Sequence, residues 1–145
     1  MSFPELIDDG KCFVCGPHNP LGLKLHFETR GKDVVVEFTP GTEYQGFQGI
    51  VHGGIISTVL DEVMAHVLMK RDIRGLTAKL EVEFKQMARV GEKLLVRGRL
   101  LKESGRILLL EAEVCTEDGE AVAVAQGKWV RFSTRKRRRD RDEEI

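Results

Sequence analysis

Twin glycines in the middle of the chain open onto an unbroken run, Ile55-Ile56-Ser57-Thr58-Val59-Leu60-Asp61-Glu62-Val63-Met64-Ala65-His66-Val67-Leu68-Met69, with no further Gly and no Pro. The run is far too long for a buried strand. Its apolar residues recur at helical spacing, which predicts a helix from about Gly53 to Met69, roughly 25 Å long. Ile56, Val59, Leu60, Val63, Met64 and Val67 fill one wide arc of that helix. The opposite arc holds Gly54, Ser57, Thr58, Asp61, Glu62, Ala65 and His66, all small or polar, and no Lys or Arg occurs until Lys70. An ordinary surface helix carries long charged side chains on that face, so this one is built for close approach by something other than water.

Around the helix the chain reads as strands. Leu23–Glu28 alternates apolar and polar, Gly31-Lys32 turns, and Val34–Phe38 returns as a second strand. Thr39–Ile50 is a loop leading to the helix, with no Ser, Thr, Asp or Asn as N-cap, which predicts bare N–H groups at the glycines. Beyond Gly75 comes the cleanest alternation: Leu76, Ala78, Leu80, Val82 and Phe84 on one side, Thr77, Lys79, Glu81 and Glu83 on the other. Lys93–Lys102, Ile107–Thr116 and Ala121–Phe132 follow, joined by turns at Ser104-Gly105 and Asp118-Gly119. Leu94, Val96 and Leu100 suit one sheet face, as do Leu108, Leu110, Ala112 and Val114. The inventory β-β-α-β-β-β-β predicts an α+β fold in which an antiparallel sheet of about six strands wraps a central helix. Residues 1–132 read as one domain, beginning with an ordered, turn-rich loop with a short helical start (1–22). Residues 133–145 read as a charged, flexible tail in which Arg135–Arg139 is followed by acidic residues.

A chain of 145 residues buries roughly two-thirds of its unfolded surface. Zero formal net charge provides no global basic field and no default nucleic-acid reading. The acidic N-terminus lacks the pattern of a signal peptide, and a helix interrupted by Asp61, Glu62 and His66 falls short of a membrane span. Three cysteines fit a reducing compartment, and the expectation is a cytoplasmic protein. Cys12 and Cys15 form a Cys-x-x-Cys. A zinc site would need two more ligands, for which His18, His26 and Cys115 are the available residues. A thioredoxin-like site would need the motif to open a helix, but Gly16-Pro17 follows it. Two small buried thiols in a tight turn is the favoured reading, with no metal.

His52-Gly53-Gly54, followed by Asp61 nine positions after the His in an apolar helix, resembles the hotdog-fold acyl-CoA thioesterases of the phenylacetate-degradation type. Cys12-Phe13-Val14-Cys15-Gly16 with Asn19-Pro20-Leu21-Gly22-Leu23 is similar to a subgroup of that family, so the match runs over residues 12–132 in element order. The resemblance implies a hotdog fold, hydrolysis of acyl-CoA thioesters without a separate cofactor, and active sites shared between subunits. It also implies that Thr77 orients the attacking water. An Asn or Gln six residues before the His is frequent in that family; Gly46 stands there in this chain, with Gln45 and Gln48 alongside.

The chemistry can be argued from the residues as well. Thioester hydrolysis needs donors for a developing oxyanion and a group that activates water or attacks directly. The positive end of a helix with bare N–H groups supplies donors, and Gly53 and Gly54 allow close approach. Asp61 is the carboxylate of choice, with Glu62 second; Glu62 can instead pair with His66 one turn on. His52 is assigned to positioning the loop and substrate. Lys85 and Arg89 are candidates to meet coenzyme A phosphates, although solvated surface charge is the simpler reading. Asp61 lies eight residues beyond Gly53, roughly 12 Å along the axis, too far for both to reach one carbonyl. Two antiparallel helices across a two-fold axis remove the difficulty, predicting a homodimer or larger assembly with Gly53 of one subunit facing Asp61 of the other. The competing readings are a hotdog hydratase or dehydratase on enoyl or hydroxyacyl thioesters, and a non-catalytic acyl-CoA binder.

Overall fold

The computed structural model describes residues 5–132; the charged stretch 133–145 and residues 1–4 lie outside the described residues. The elements follow as β1 (Glu28–Arg30), β2 (Asp33–Phe38), a 3-10 turn (Thr42–Tyr44), α1 (Gly53–Lys70), β3 (Gly75–Phe84), β4 (Leu94–Ser104), β5 (Ile107–Thr116) and β6 (Ala121–Arg131). The strands form one six-stranded sheet in the order β1-β2-β4-β5-β6-β3, with every neighbouring pair antiparallel. This is the expected sheet around one long helix, a hotdog fold.

The helix forms where its periodicity requires. All six residues of the expected apolar arc are buried, joined by Leu68. They meet Val34, Val36 and Phe38 of β2, Leu94 and Val96 of β4, Leu108, Leu110 and Val114 of β5, and Ala125 and Trp129 of β6 in one core. Each large aliphatic side chain buried there contributes about 1.5–3 kcal/mol. Close seating of the helix depends on two gaps in the sheet. A Cβ at Gly98 would lie 3.0 Å from a Val63 methyl, and one at Gly127 only 2.5 Å from the Met64 sulfur.

Two local expectations need correction. Leu23–Glu28 is not a strand of the sheet, since only Glu28 belongs to β1. The alternation is genuine, with Leu23, Leu25 and Phe27 half-buried against the core. Their backbone, however, bonds to the N-terminal loop, Leu23 N–H to Phe13 O and Leu25 N–H to Val14 O, both at 2.9 Å. Lys24 at φ 54° breaks the extended path between them. Residues 5–22 themselves are turns and loop without helix.

The second correction concerns β3. Its pairing with β6 shifts between Thr77 and Lys79, a β-bulge that leaves Ala78 unpaired. One extra residue inverts the facing of everything before it. Leu80 and Val82 lie opposite Gly127 and Ala125 on the inner face, and Thr77 lies opposite the buried Trp129 on that same face. Leu76, expected inward, is 49% exposed.

Candidate active site

Thr77 and Asp61 meet because of that bulge. Thr77 Oγ1 donates to Asp61 Oδ1 at 2.6 Å, joining β3 to the small-residue face of α1. Asp61 is half-buried. Burial pushes its carboxyl above the ordinary range, the Thr77 hydroxyl pulls it back, and the neighbouring charge of Glu62 adds to the rise. The result is a carboxylate of raised basicity with one oxygen oriented by a hydroxyl, which suits proton abstraction. Sequence parity alone had turned Thr77 away from the helix.

The helix entry differs from expectation in one respect. His52 is the N-cap: its Nδ1 accepts from the Gly54 N–H at 2.8 Å. Gly54 is therefore already satisfied, and Gly53 is the residue whose N–H finds no acceptor among the described residues. His52 thereby holds the helix entry. The Ser57 and Thr58 hydroxyls fold back onto the carbonyls of Gly53 and Gly54 at 3.0 and 2.7 Å, which keeps this face low. A cavity of about 360 Å³ opens beside Gly53, lined in part by Ile50, Ile56, Phe84 and Met87. Ile56 and Phe84 read from sequence only as apolar positions of their elements, and Ile50 and Met87 carry no local signal of a pocket.

The loop before the helix holds the remaining candidates. Gln45 Oε1 accepts from Gly49 N–H at 3.1 Å, so that oxygen is engaged in closing its own turn. Gln48 is exposed on that turn. Gly46 sits against His52, where a Cβ would make ordinary contact at 3.5 Å. Lys85 also lines the cavity, and its ammonium lies 2.8 Å from Glu83. Arg89 is exposed, in an isolated bridge with Ile50.

Glu62 points elsewhere. Its Oε1 accepts from Cys12 Sγ at 3.3 Å and Cys15 Sγ at 3.4 Å, and His66 Nε2 lies 3.3 Å away, as the expected one-turn pairing requires. Burial alone pushes Glu62 up, but His66 and the two thiols together hold it below the usual carboxylate range. Its Oε1 is thus engaged by the N-terminal loop and His66, on a different side of the helix from the Asp61–Thr77 pair. Burial, the Cys12 hydrogen bond and the Glu62 charge push the Cys15 thiol up, the reverse of an activated redox cysteine. The thiols do occupy a tight turn, half-buried rather than buried. His18, His26 and Cys115 do not join them: Cys12, Cys15 and Glu62 are the metal-capable grouping among the described residues.

One long helix packed on a six-stranded antiparallel sheet defines a hotdog fold. The thioesterase superfamily model matches residues 48–123, and the chain belongs to the thioesterase superfamily of enzymes. A solved thioesterase superfamily protein is 28% identical with a TM-score of 0.80, over 83% of this chain and 63% of that one, so this chain spans under two-thirds of it. Acyl-coenzyme A thioesterase 13 of Homo sapiens is 25% identical over 97 residues, covering 66% of this chain and 69% of that protein. A hypothetical thioesterase from Streptococcus pneumoniae, solved with coenzyme A, shares the fold at 18% identity and a TM-score of 0.72, over 77% of this chain and 88% of that one. No helix among the described residues is long and apolar enough to cross a membrane.

Proposed function

We propose that this protein hydrolyses acyl-CoA thioesters to free acid and coenzyme A in the cytoplasm, through sites shared between two copies of the chain. The observation that carries the reading is the 2.6 Å bond from Thr77 Oγ1 to Asp61 Oδ1, which orients one oxygen of a carboxylate of raised basicity and leaves the other to take a proton. Ionised Asp61 takes a proton from water as the water oxygen attacks the thioester carbonyl; direct attack by the carboxylate is the variant with the same residue. The Gly53 N–H of the other copy receives the oxyanion, and His52, by capping Gly54, fixes the direction of that donor. Collapse breaks the C–S bond, and the proton passes to the departing thiolate. The cavity beside Gly53 takes the acyl chain or the pantetheine arm, with Lys85 and Arg89 at its outer side for phosphates.

The dimer has its own support. At one edge of the sheet β1 is three residues long, while at the other β3 is ten. A long open edge invites pairing, and Leu76, Phe84 and Met87 beside it are 49%, 50% and 59% exposed. Pairing β3 with β3 across a two-fold axis brings the small faces of the two α1 helices together. Membership of the subgroup with the Cys-x-x-Cys-Gly and Asn-Pro-x-Gly-Leu elements, and a single domain over 1–132, complete the proposal. The test is Asp61→Asn assayed for thiol release over short, medium, long and aryl acyl-CoAs, with fold and assembly verified. Hydrolysis disappears across the panel; turnover at the wild-type rate refutes the role of Asp61.

A further inference from the structure

The positions next to the Asp61–Thr77 pair are held by small residues. On α1 the residue one turn beyond Asp61, on the same side, is Ala65. On β3 the residue two before Thr77, and so on the same face, is Gly75. Ala and Gly leave a gap, and a cavity of about 570 Å³ stands there. Among its apolar liners are Leu6, Ala65, Leu68, Met69, Leu76 and Trp129. Leu76 precedes Thr77 and Trp129 lies opposite it in the β3–β6 register, so the cavity begins directly beside the pair. The cavity next to Gly53 shares none of these liners.

The remaining wall is the N-terminal segment, from which half-buried Leu6 contributes its side chain. That segment is tied in place. Asp8 and Asp9 accept through Oδ1 from the Gly10 and Lys11 N–H groups at 2.9 and 3.1 Å, and Asn19 Nδ2 donates to Lys11 O at 3.0 Å. The Cys12 and Cys15 thiols then bond Glu62, which anchors the wall to α1 one residue from Asp61. Among the charged liners, Glu5, Asp8, Asp9 and Glu62 outnumber Lys11 and Arg74. An anionic group entering here meets like charge.

We propose that this cavity holds the acyl group, that the acyl group is a neutral aliphatic chain of medium length, and that Leu6 sets the length. Asp61, Ala65 and Met69 succeed one another along one side of α1, roughly 12 Å from first to last. A chain whose thioester carbonyl meets Asp61 lies along them, under Trp129 and Leu76, until the N-terminal wall stops it. The cavity beside Gly53 is then left to the pantetheine arm. This inference rests on the hydrolase reading and decides which end of the reactant each cavity takes.

Trp129 is the only tryptophan of the chain, so its emission reports on the cavity without any turnover. S-octyl-coenzyme A, a thioether that cannot be hydrolysed, should change that emission in the full chain, and coenzyme A alone should not. Equal responses to the two, or no response to either, overturn the placement of the acyl group whether or not the enzyme is active. Thiol release then ranks the chains. Octanoyl-CoA should have the highest kcat/KM, with acetyl-CoA, palmitoyl-CoA and the anionic glutaryl-CoA each lower by about tenfold or more. Leu6→Ala should raise palmitoyl-CoA relative to octanoyl-CoA by about tenfold, and Leu6→Phe should lower octanoyl-CoA while sparing acetyl-CoA. One length profile common to wild type and both variants overturns Leu6 as the residue that sets it. A preference for glutaryl-CoA overturns the neutral class. An emission change specific to S-octyl-coenzyme A, with no thiol released from any acyl-CoA, supports the cavity and refutes the hydrolase reading instead.

Discussion

Asp61 and Glu62 are adjacent carboxylates on one helix, and they serve opposite ends. Asp61 faces β3 and accepts a single hydroxyl, from Thr77. Glu62, one residue later, faces the N-terminal loop and gathers two thiols and an imidazole. Burial raises both; only Glu62 has enough partners to end below the ordinary range. A hundred degrees of helix rotation separates a carboxylate left more basic from one engaged by the N-terminal loop. The pair teaches that burial alone does not mark a functional acid. The number of donors satisfying it decides the direction in which its pKa moves.

The sharpest way to break this contrast is Asp61→Asn. Turnover should fall by about 10²- to 10⁴-fold, measured by thiol release. Stability should move the other way. A carboxyl raised in the folded state lends stability below the ordinary carboxylate range and loses it as pH rises through the raised value, so at neutral pH its charge opposes folding. Asp61→Asn should therefore melt higher than wild type at pH 7, with the gain shrinking in acid.

Gly53→Pro tests the donor half. Proline is well tolerated at the first helical position, and His52 at φ −59°, ψ 130° already has the backbone a following proline prefers. Only the unpartnered N–H is lost, and kcat should drop by about 10²- to 10³-fold with the fold intact. Mixing Asp61→Asn with Gly53→Pro chains then distinguishes shared sites from separate ones. Random exchange should restore roughly a quarter of wild-type activity, since half the dimers are mixed and each mixed dimer rebuilds one site. No recovery after verified exchange would place both groups within one chain.

Thr77→Val should cost roughly tenfold in kcat/KM. Loss of the hydroxyl also lets Asp61 rise further, so the acid limb of the pH–rate profile should move to higher pH. Glu62→Gln is the smallest change for turnover, within a few-fold, but should cost about 1–3 kcal/mol of stability by leaving the loop thiols and His66 poorly paired. A Glu62→Gln enzyme that lost turnover as completely as Asp61→Asn would erase the division of labour.

What the linear sequence made legible follows from the range of the forces involved. The helix and its buried arc are written in a local 3.6-residue period, and β4, β5 and β6 in short alternating runs with tight turns, so these emerge nearly at their observed bounds. Leu23–Phe27 carries the alternation of a strand because one side is half-buried, yet a distant loop rather than the sheet takes its hydrogen bonds. His52 as N-cap escaped because the residues expected in that role are Ser, Thr, Asp and Asn. The convergence of Cys12 and Cys15 on Glu62 spans some fifty residues of chain, and nothing local announces it. Asp61 stands out locally as a carboxylate in an apolar helix with no cation one turn away; Thr77 is reached only through the family resemblance, because local alternation turns it outward and β3 hides a shift in register.

That shift has a consequence of its own. A strand has a two-residue reading frame, inner face and outer face, and the unpaired Ala78 acts as a frameshift confined to the stretch before it. What matters at position 78 is therefore not which side chain stands there but that a residue is present at all. Replacing Ala78 should do little, whereas deleting it should restore strict alternation, rotate Leu76 inward, and present Thr77 to solvent. The site would be lost without altering a single one of its residues.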